Sequence, residues 1–135
     1  MAVVKDFREL RCWQAARVLT KDVYALTKGG EFARDYGLKD QVQRAAVSIG
    51  SNIAEGFERD NNAELSRFIG YAKGSAGEVI SQLYTAFDVG YITESQLQKL
   101  VAQLKEIGGM LSKVRSSVRA KEMKGLAYKP IPALQ

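Results

Sequence analysis

Apolar residues recur at steps of three and four along most of the chain, the period at which a helix gathers side chains on one face. The clearest run is Leu65, Phe68, Ile69, Ala72, Ala76, Val79, Ile80, Leu83 and Phe87. In front of it, Asn61 and Glu64 have capping-box spacing, in which the first side chain accepts from a free helix N–H and the second reaches back. Behind it, Gly90 permits the left-handed turn that ends many helices. Together these predict a helix over 62–89. A second stripe, Leu97, Leu100, Val101, Leu104, Ile107, Leu111, Val114 and Val118, opens at Thr93 and Gln96 and predicts a helix over 94–121. Nearer the start, Leu10, Trp13, Ala16, Leu19, Val23 and Leu26 follow Asp6 and Glu9 at capping-box spacing and run into Gly29 and Gly30. They predict a helix over 6–28 with Trp13 on its buried side.

The stretch VSIGSNIAEGFERD, residues 47–60, resists this reading, because Gly50, Ser51, Asn52 and Gly56 are weak helix formers. An interior glycine alone costs about 1 kcal/mol relative to alanine. Phase decides the question: Leu38, Val42, Ala45, Ala46, Ile49, Ile53 and Phe57 hold one face straight through Gly50. A break there would reset the phase, so the pattern predicts one helix over 38–58. The only prolines are Pro130 and Pro132, and nothing upstream forbids long helices. The fold expected is all-α, an antiparallel up-down-up-down four-helix bundle in one domain over 1–121, followed by a basic, proline-containing tail over 122–135. The longer connection over 29–37 brings Phe32 and Tyr36, expected to pack on the bundle end.

A polar file runs beside the apolar face of the second predicted helix: Arg44, Ser48, Asn52, Glu55 and Arg59. The third offers Tyr71, Ser75, Glu78 and Gln82 next to Gly70, Gly74 and Gly77. One reading makes Glu55 and Arg59 an exposed pair one turn apart and gives the glycines no role. The sharper reading places the file at a close polar interface, between these helices or between subunits, with Arg44, Glu55 and Glu78 as partners. Charges buried there must be paired, since an unpaired one costs several kcal/mol. Glu55 and Glu78 as an acid and a base is a third reading, disfavoured because no histidine, metal-ligand cluster or phosphate-cradling loop accompanies them.

Composition narrows the chemistry. Histidine is absent and Cys12 is the single cysteine. Ordinary zinc clusters, imidazole-assisted nucleophiles and the Glu-x-x-His pairs of di-iron bundles therefore cannot be assembled from one chain. No intramolecular disulfide is possible, and no leader or long apolar segment is evident. The expectation is a soluble cytoplasmic protein with no cofactor, no metal and no membrane contact, and not an enzyme. The net charge of +5 is unevenly spread: residues 99–129 alone carry +6. Clustered positive charge of this kind points to a polyanion or an acidic partner.

The run QVQRAAVSIGSNIAEGFER at 41–59, with DFRELRCWQAA at 6–16 and FIGYAKGSAGEVISQL at 68–83, resembles the four-helix-bundle family of proteins encoded in intervening sequences of bacterial large-subunit rRNA genes. The family commonly has proline where Gly50 stands here. The resemblance implies an up-down bundle assembled as a ring-shaped homo-oligomer, with a pentamer favoured. The chain is also similar to the accessory variability determinant proteins of diversity-generating retroelements, basic pentamers that bind a reverse transcriptase and nucleic acid. The function expected is non-enzymatic binding of nucleic acid, RNA before DNA. Phosphates would be held by Lys113, Arg115, Arg119, Lys121 and Lys124 of the last helix and tail, extended by Arg17, Lys21 and Lys28 of the first. The alternative is an interaction scaffold that docks a partner enzyme such as a reverse transcriptase. Salt dependence separates the two, since binding through phosphates weakens linearly in log salt.

Overall fold

The computed structural model describes residues 3–59, 61–123, 131–133 and 135, the backbone alone at 120–123. A 3-10 turn, Phe7–Glu9, precedes α1 (Arg11–Leu26), the short α2 (Gly30–Arg34), α3 (Tyr36–Glu58), α4 (Asn62–Asp88) and α5 (Glu94–Met123). The described residues hold no sheet, only an isolated antiparallel bridge between Val3 and Pro132.

The four long helices pack in a closed square, α1 on α3, α3 on α4, α4 on α5 and α5 back on α1. Side-chain contacts fix each register as antiparallel. Ser48 meets Ser75, while Gly56 further along α3 meets Phe68 nearer the start of α4. Lys73 reaches Ser112, whereas Ser66 meets the later Arg115. Thr20 donates to the Ala46 carbonyl, and Thr27 accepts from the earlier Gln43. The predicted stripes supply the core, with Leu19, Ile49, Ile53, Leu65, Ile69, Leu83, Leu104 and Ile107 essentially without solvent contact. Each such side chain contributes about 1.5–3 kcal/mol by leaving water.

Helix ends follow the expected chemistry at several points. Asn61 accepts from the Glu64 N–H at 3.0 Å. Thr93 and Gln96 form a reciprocal box at 2.9 and 3.1 Å. Gly90 takes φ +86° after α4, and Gly30 takes φ +65° after α1. Residues 38–58 lie in one helix, with Gly50 and Gly56 inside it.

The structure departs from the sequence reading in three places. The predicted helix over 6–28 is divided: the Asp6–Glu9 box caps the 3-10 turn, and Leu10 takes extended geometry before α1 starts. Leu10 cannot cap α1 by side chain, and the Arg11 N–H instead donates to Gln135 Oε1 at 2.8 Å. The connection over 29–37 contains α2 and the start of α3, which Asp35 caps by accepting from the Leu38 N–H. Phe32 packs on the bundle end against Tyr91, but Tyr36 is 73% exposed, because the first turn of α3 turns it outward. Asp35 also accepts from the Tyr91 hydroxyl at 2.9 Å, tying the α2–α3 corner to the turn before α5. These bonds hold its carboxyl below the usual range, the Leu38 N–H first and the Tyr91 hydroxyl second.

Candidate nucleic-acid interface

The four ion pairs among the described residues are Asp6–Arg8, Asp40–Arg44, Glu55–Arg59 and Glu64–Arg67. None uses a cation of α1 or α5. Arg17 and Lys21 on α1, Lys28 just past its end where the sequence predicted helix, and Lys99, Lys105, Lys113 and Arg119 on α5, are exposed and join no ion pair among the described residues. Lys124 lies outside the described residues, as does the Lys121 side chain.

The cations of α5 do not form one row. Arg115 lies half-buried against α4, where its guanidinium would sit 3.0 Å from a methyl placed on Gly70, and its Nε donates to Ser66 Oγ at 3.4 Å. Gly70 is thus the space that lets a cation lie flat on the neighbouring backbone. Arg119, one turn later, shares that side of α5. Lys113 is on the other side, with Arg11, on the wall of a cleft of about 840 Å³ between the start of α1, α5 and Ile131–Pro132. Arg11 is missed by sequence reasoning, because only the antiparallel α1–α5 pairing brings it to Lys113; no spacing along the chain signals this. Its Nη1 donates to the Gln135 carbonyl at 2.7 Å. Cys12 lines the same cleft from the core, and burial pushes its thiol up to about 11. At neutral pH it is an unreactive apolar group.

The polar file divides in two. Ser48 and Ser75 share a hydrogen bond of 3.0 Å across α3 and α4, and Asn52 Nδ2 donates to the Ser48 carbonyl and hydroxyl at 2.8 and 2.9 Å. Arg44, however, pairs with Asp40 at 2.9 Å, and Glu55 with Arg59 at 3.0 Å, both in exposed pairs one turn apart. The partnership expected among Arg44, Glu55 and Glu78 does not form within the chain, since Arg44 and Glu55 each pair with a charge one turn away, and Glu78 joins no ion pair among the described residues. Glu78 is exposed.

The glycines divide as well. A methyl on Gly56 would lie 2.6 Å from Phe68 Cβ, and one on Gly50 3.5 Å from the Trp13 Nε1. The awkward composition of 47–60 therefore admits Phe68 from α4 at Gly56, while Gly50 lies beside the indole of α1 with room for a methyl. Trp13 is half-buried, edge-on to Phe7 at 5.2 Å, with the Arg17 guanidinium 5.7 Å from its ring. Methyls on Gly74 and Gly77 would meet nothing. Among the described residues no group of acidic or thiol side chains is arranged to hold a metal ion, and no helix is long and apolar enough to cross a membrane.

These features define an all-α bundle whose α3–α4 side pairs its arginines with carboxylates and whose α1 and α5 sides carry exposed cations in no ion pair among the described residues. Residues 8–113 match the model of the 23S rRNA-intervening sequence protein family, and the chain belongs to that family. Among solved structures, the fold is similar to a crystal structure of a protein with unknown function from the S23 ribosomal protein family of Bacteroides thetaiotaomicron VPI-5482. The TM-score is 0.71 at 20% identity, over 77% of this chain and 97% of that one. A comparison with curated proteins gives no match.

Proposed function

We propose that this is a non-enzymatic, homo-oligomeric RNA-binding protein of the cytoplasm, holding phosphates on the open cations of α5 and α1. The observation that carries the reading is the uneven neutralisation of charge: exposed Lys105, Lys113, Arg119, Arg17, Lys21 and Lys28 have no carboxylate partner among the described residues, while Arg44, Arg59 and Arg67 each do. Phosphates bound by such cations release condensed counterions, so affinity falls linearly in log salt with a slope of about −0.7 per phosphate for a single strand. Arg115 is assigned to packing against Gly70 and not to phosphate contact. A ring of five copies repeats a weak patch, and avidity then replaces strong single-site affinity. The face assigned to assembly is the outer side of α3 and α4, where Gly74 and Gly77 leave the backbone bare beside the half-exposed Tyr71.

The test is filter retention of an unstructured RNA by the purified protein across a KCl series. The double variant Lys113→Glu, Arg119→Glu is expected to keep its helicity and its mass by light scattering while losing retention. Unchanged retention refutes the assignment. A salt-insensitive protein that instead captures a single protein partner in fixed ratio supports the scaffold reading.

A further inference from the structure

From the seam between α1 and α3 we infer a stacking surface for single-stranded nucleic acid, in which tyrosines take bases and the α1 cations take phosphates. This rests on the RNA-binding reading and supplies a site that the charge pattern of α5 does not contain.

Three contacts mark the seam: Trp13 against Gly50, Thr20 donating to the Ala46 carbonyl, and Gln43 donating to Thr27. Arg17 follows Trp13 by one turn and Tyr24 follows Thr20, so both stand on the α3-facing edge of α1, and Lys28 comes just past the helix end. Lys21 lies between them. On α3, Lys39 precedes Gln43 by one turn and Tyr36 precedes Gln43 by two, which places both on the edge facing α1. From Arg17 to Tyr24 the strip is about 11 Å long at helical rise.

Its composition differs from a merely solubilising face. Tyr24 is 43% exposed and Tyr36 73% exposed, and the Lys39 ammonium lies 4.9 Å from the Tyr36 ring centroid. Two open aromatic faces among cations are what a single strand recognises, since a base stacks on the ring while the adjacent phosphate meets the cation. The nearby carboxylates are engaged elsewhere. Asp40 pairs with Arg44, Asp22 accepts from Gln103 on the α5 side, and Asp35 accepts from Tyr91 and Leu38. Glu31, three residues after Lys28, is exposed on α2. Duplex RNA buries its bases and offers nothing to the tyrosines, so the surface selects unpaired strands.

The test uses the full chain, a fluorescent single-stranded RNA and the same sequence as a duplex, titrated at several salt concentrations. Tyr24→Ala and Tyr36→Ala are each expected to weaken single-strand binding by roughly five-fold or more, the loss of one stacked base, with the salt slope and duplex binding unchanged. Tyr24→Phe restores binding, because phenylalanine keeps the stacking ring. Lys21→Gln and Lys28→Gln are each expected to flatten the salt slope by about 0.7. Wild-type RNA binding that the tyrosine variants leave intact overturns this inference and leaves the α5 reading standing. Failure of the wild type to bind any RNA overturns both. A fall in light-scattering mass in the tyrosine variants makes the strip a contact between copies and also overturns it.

Discussion

The α3–α4 side of the bundle and the α1 and α5 sides handle the same residue types in opposite ways. Along α3 and α4, Arg44, Arg59 and Arg67 each sit one turn from a carboxylate and pair with it. Such exposed pairs contribute only a few tenths of a kcal/mol to stability, but they leave little net charge for a distant polyanion. On α1 and α5, Lys21, Lys105 and Lys113 have no such neighbour among the described residues. The glycines divide too, though not by side. Gly56 and Gly70 are met by Phe68 and Arg115 across helix seams, while methyls on Gly74 and Gly77 of α4, like those on Gly108 and Gly109 of α5, would meet nothing. Charge or glycine content is thus no measure of function by itself; what matters is whether the fold supplies the partner.

The largest expected effect comes from filling the tight seam. Gly56→Ala places a methyl 2.6 Å from Phe68 Cβ, a distance that forces the two backbones apart. Overpacking of this kind costs about 1–3 kcal/mol, set against about 1 kcal/mol gained in helix propensity. A lowered urea midpoint is expected, whereas Gly108→Ala, with open space around it, raises the midpoint by the propensity gain alone. If both variants shift in the same direction, the division of the glycines is wrong.

An intermediate effect distinguishes open space from an unseen partner. Within one chain a Cβ on Gly74 meets nothing and Gly74→Leu gains helix propensity, so a monomer is stabilised by it. In the proposed oligomer the leucine occupies the contact between copies, and light scattering reports a smaller mass. Stabilisation with unchanged mass removes α4 from the assembly.

The smallest effect is a pH dependence at the start of the chain. The Arg8 side chain and N–H draw the Asp6 carboxyl down to about 2. A folded-state value below the unfolded one stabilises the 3-10 turn above the ordinary carboxylate range, and that contribution is lost as pH falls from near 4 through about 2. The Arg8 amide resonance is expected to titrate with a midpoint of about 2 while the amides of buried Ala72 and Ala76 in the middle of α4 stay fixed. An Arg8 resonance that titrates near 4 contradicts the bond.

The long elements were legible because each buries one continuous stripe, and a 3.6-residue period survives weak helix formers such as Gly50 when the stripe keeps its phase. Caps at Asn61 and Thr93 were legible because their chemistry is local. The break at Leu10 was not, since Asp6 and Glu9 have the same spacing whether they cap an α-helix or a 3-10 turn. Nor were the partners of Gly50, Gly56 and Gly70, which come from other helices and leave no periodic trace. At the candidate site, the cations could be read as residue types but not as paired or open. Arg44 looked available for a contact across helices, yet Asp40 on its own helix takes it. Arg115 looked like a phosphate ligand, yet it lies on Gly70.

The salt dependence of RNA affinity tests the contrast most directly, measured for the wild type, for Arg44→Gln/Arg59→Gln/Arg67→Gln and for Lys105→Gln/Lys113→Gln/Arg119→Gln. Equal slopes are expected for the first two, with the third flatter by about 0.7 for each cation removed. A third variant that matches the wild type, beside a flattened second, contradicts the account.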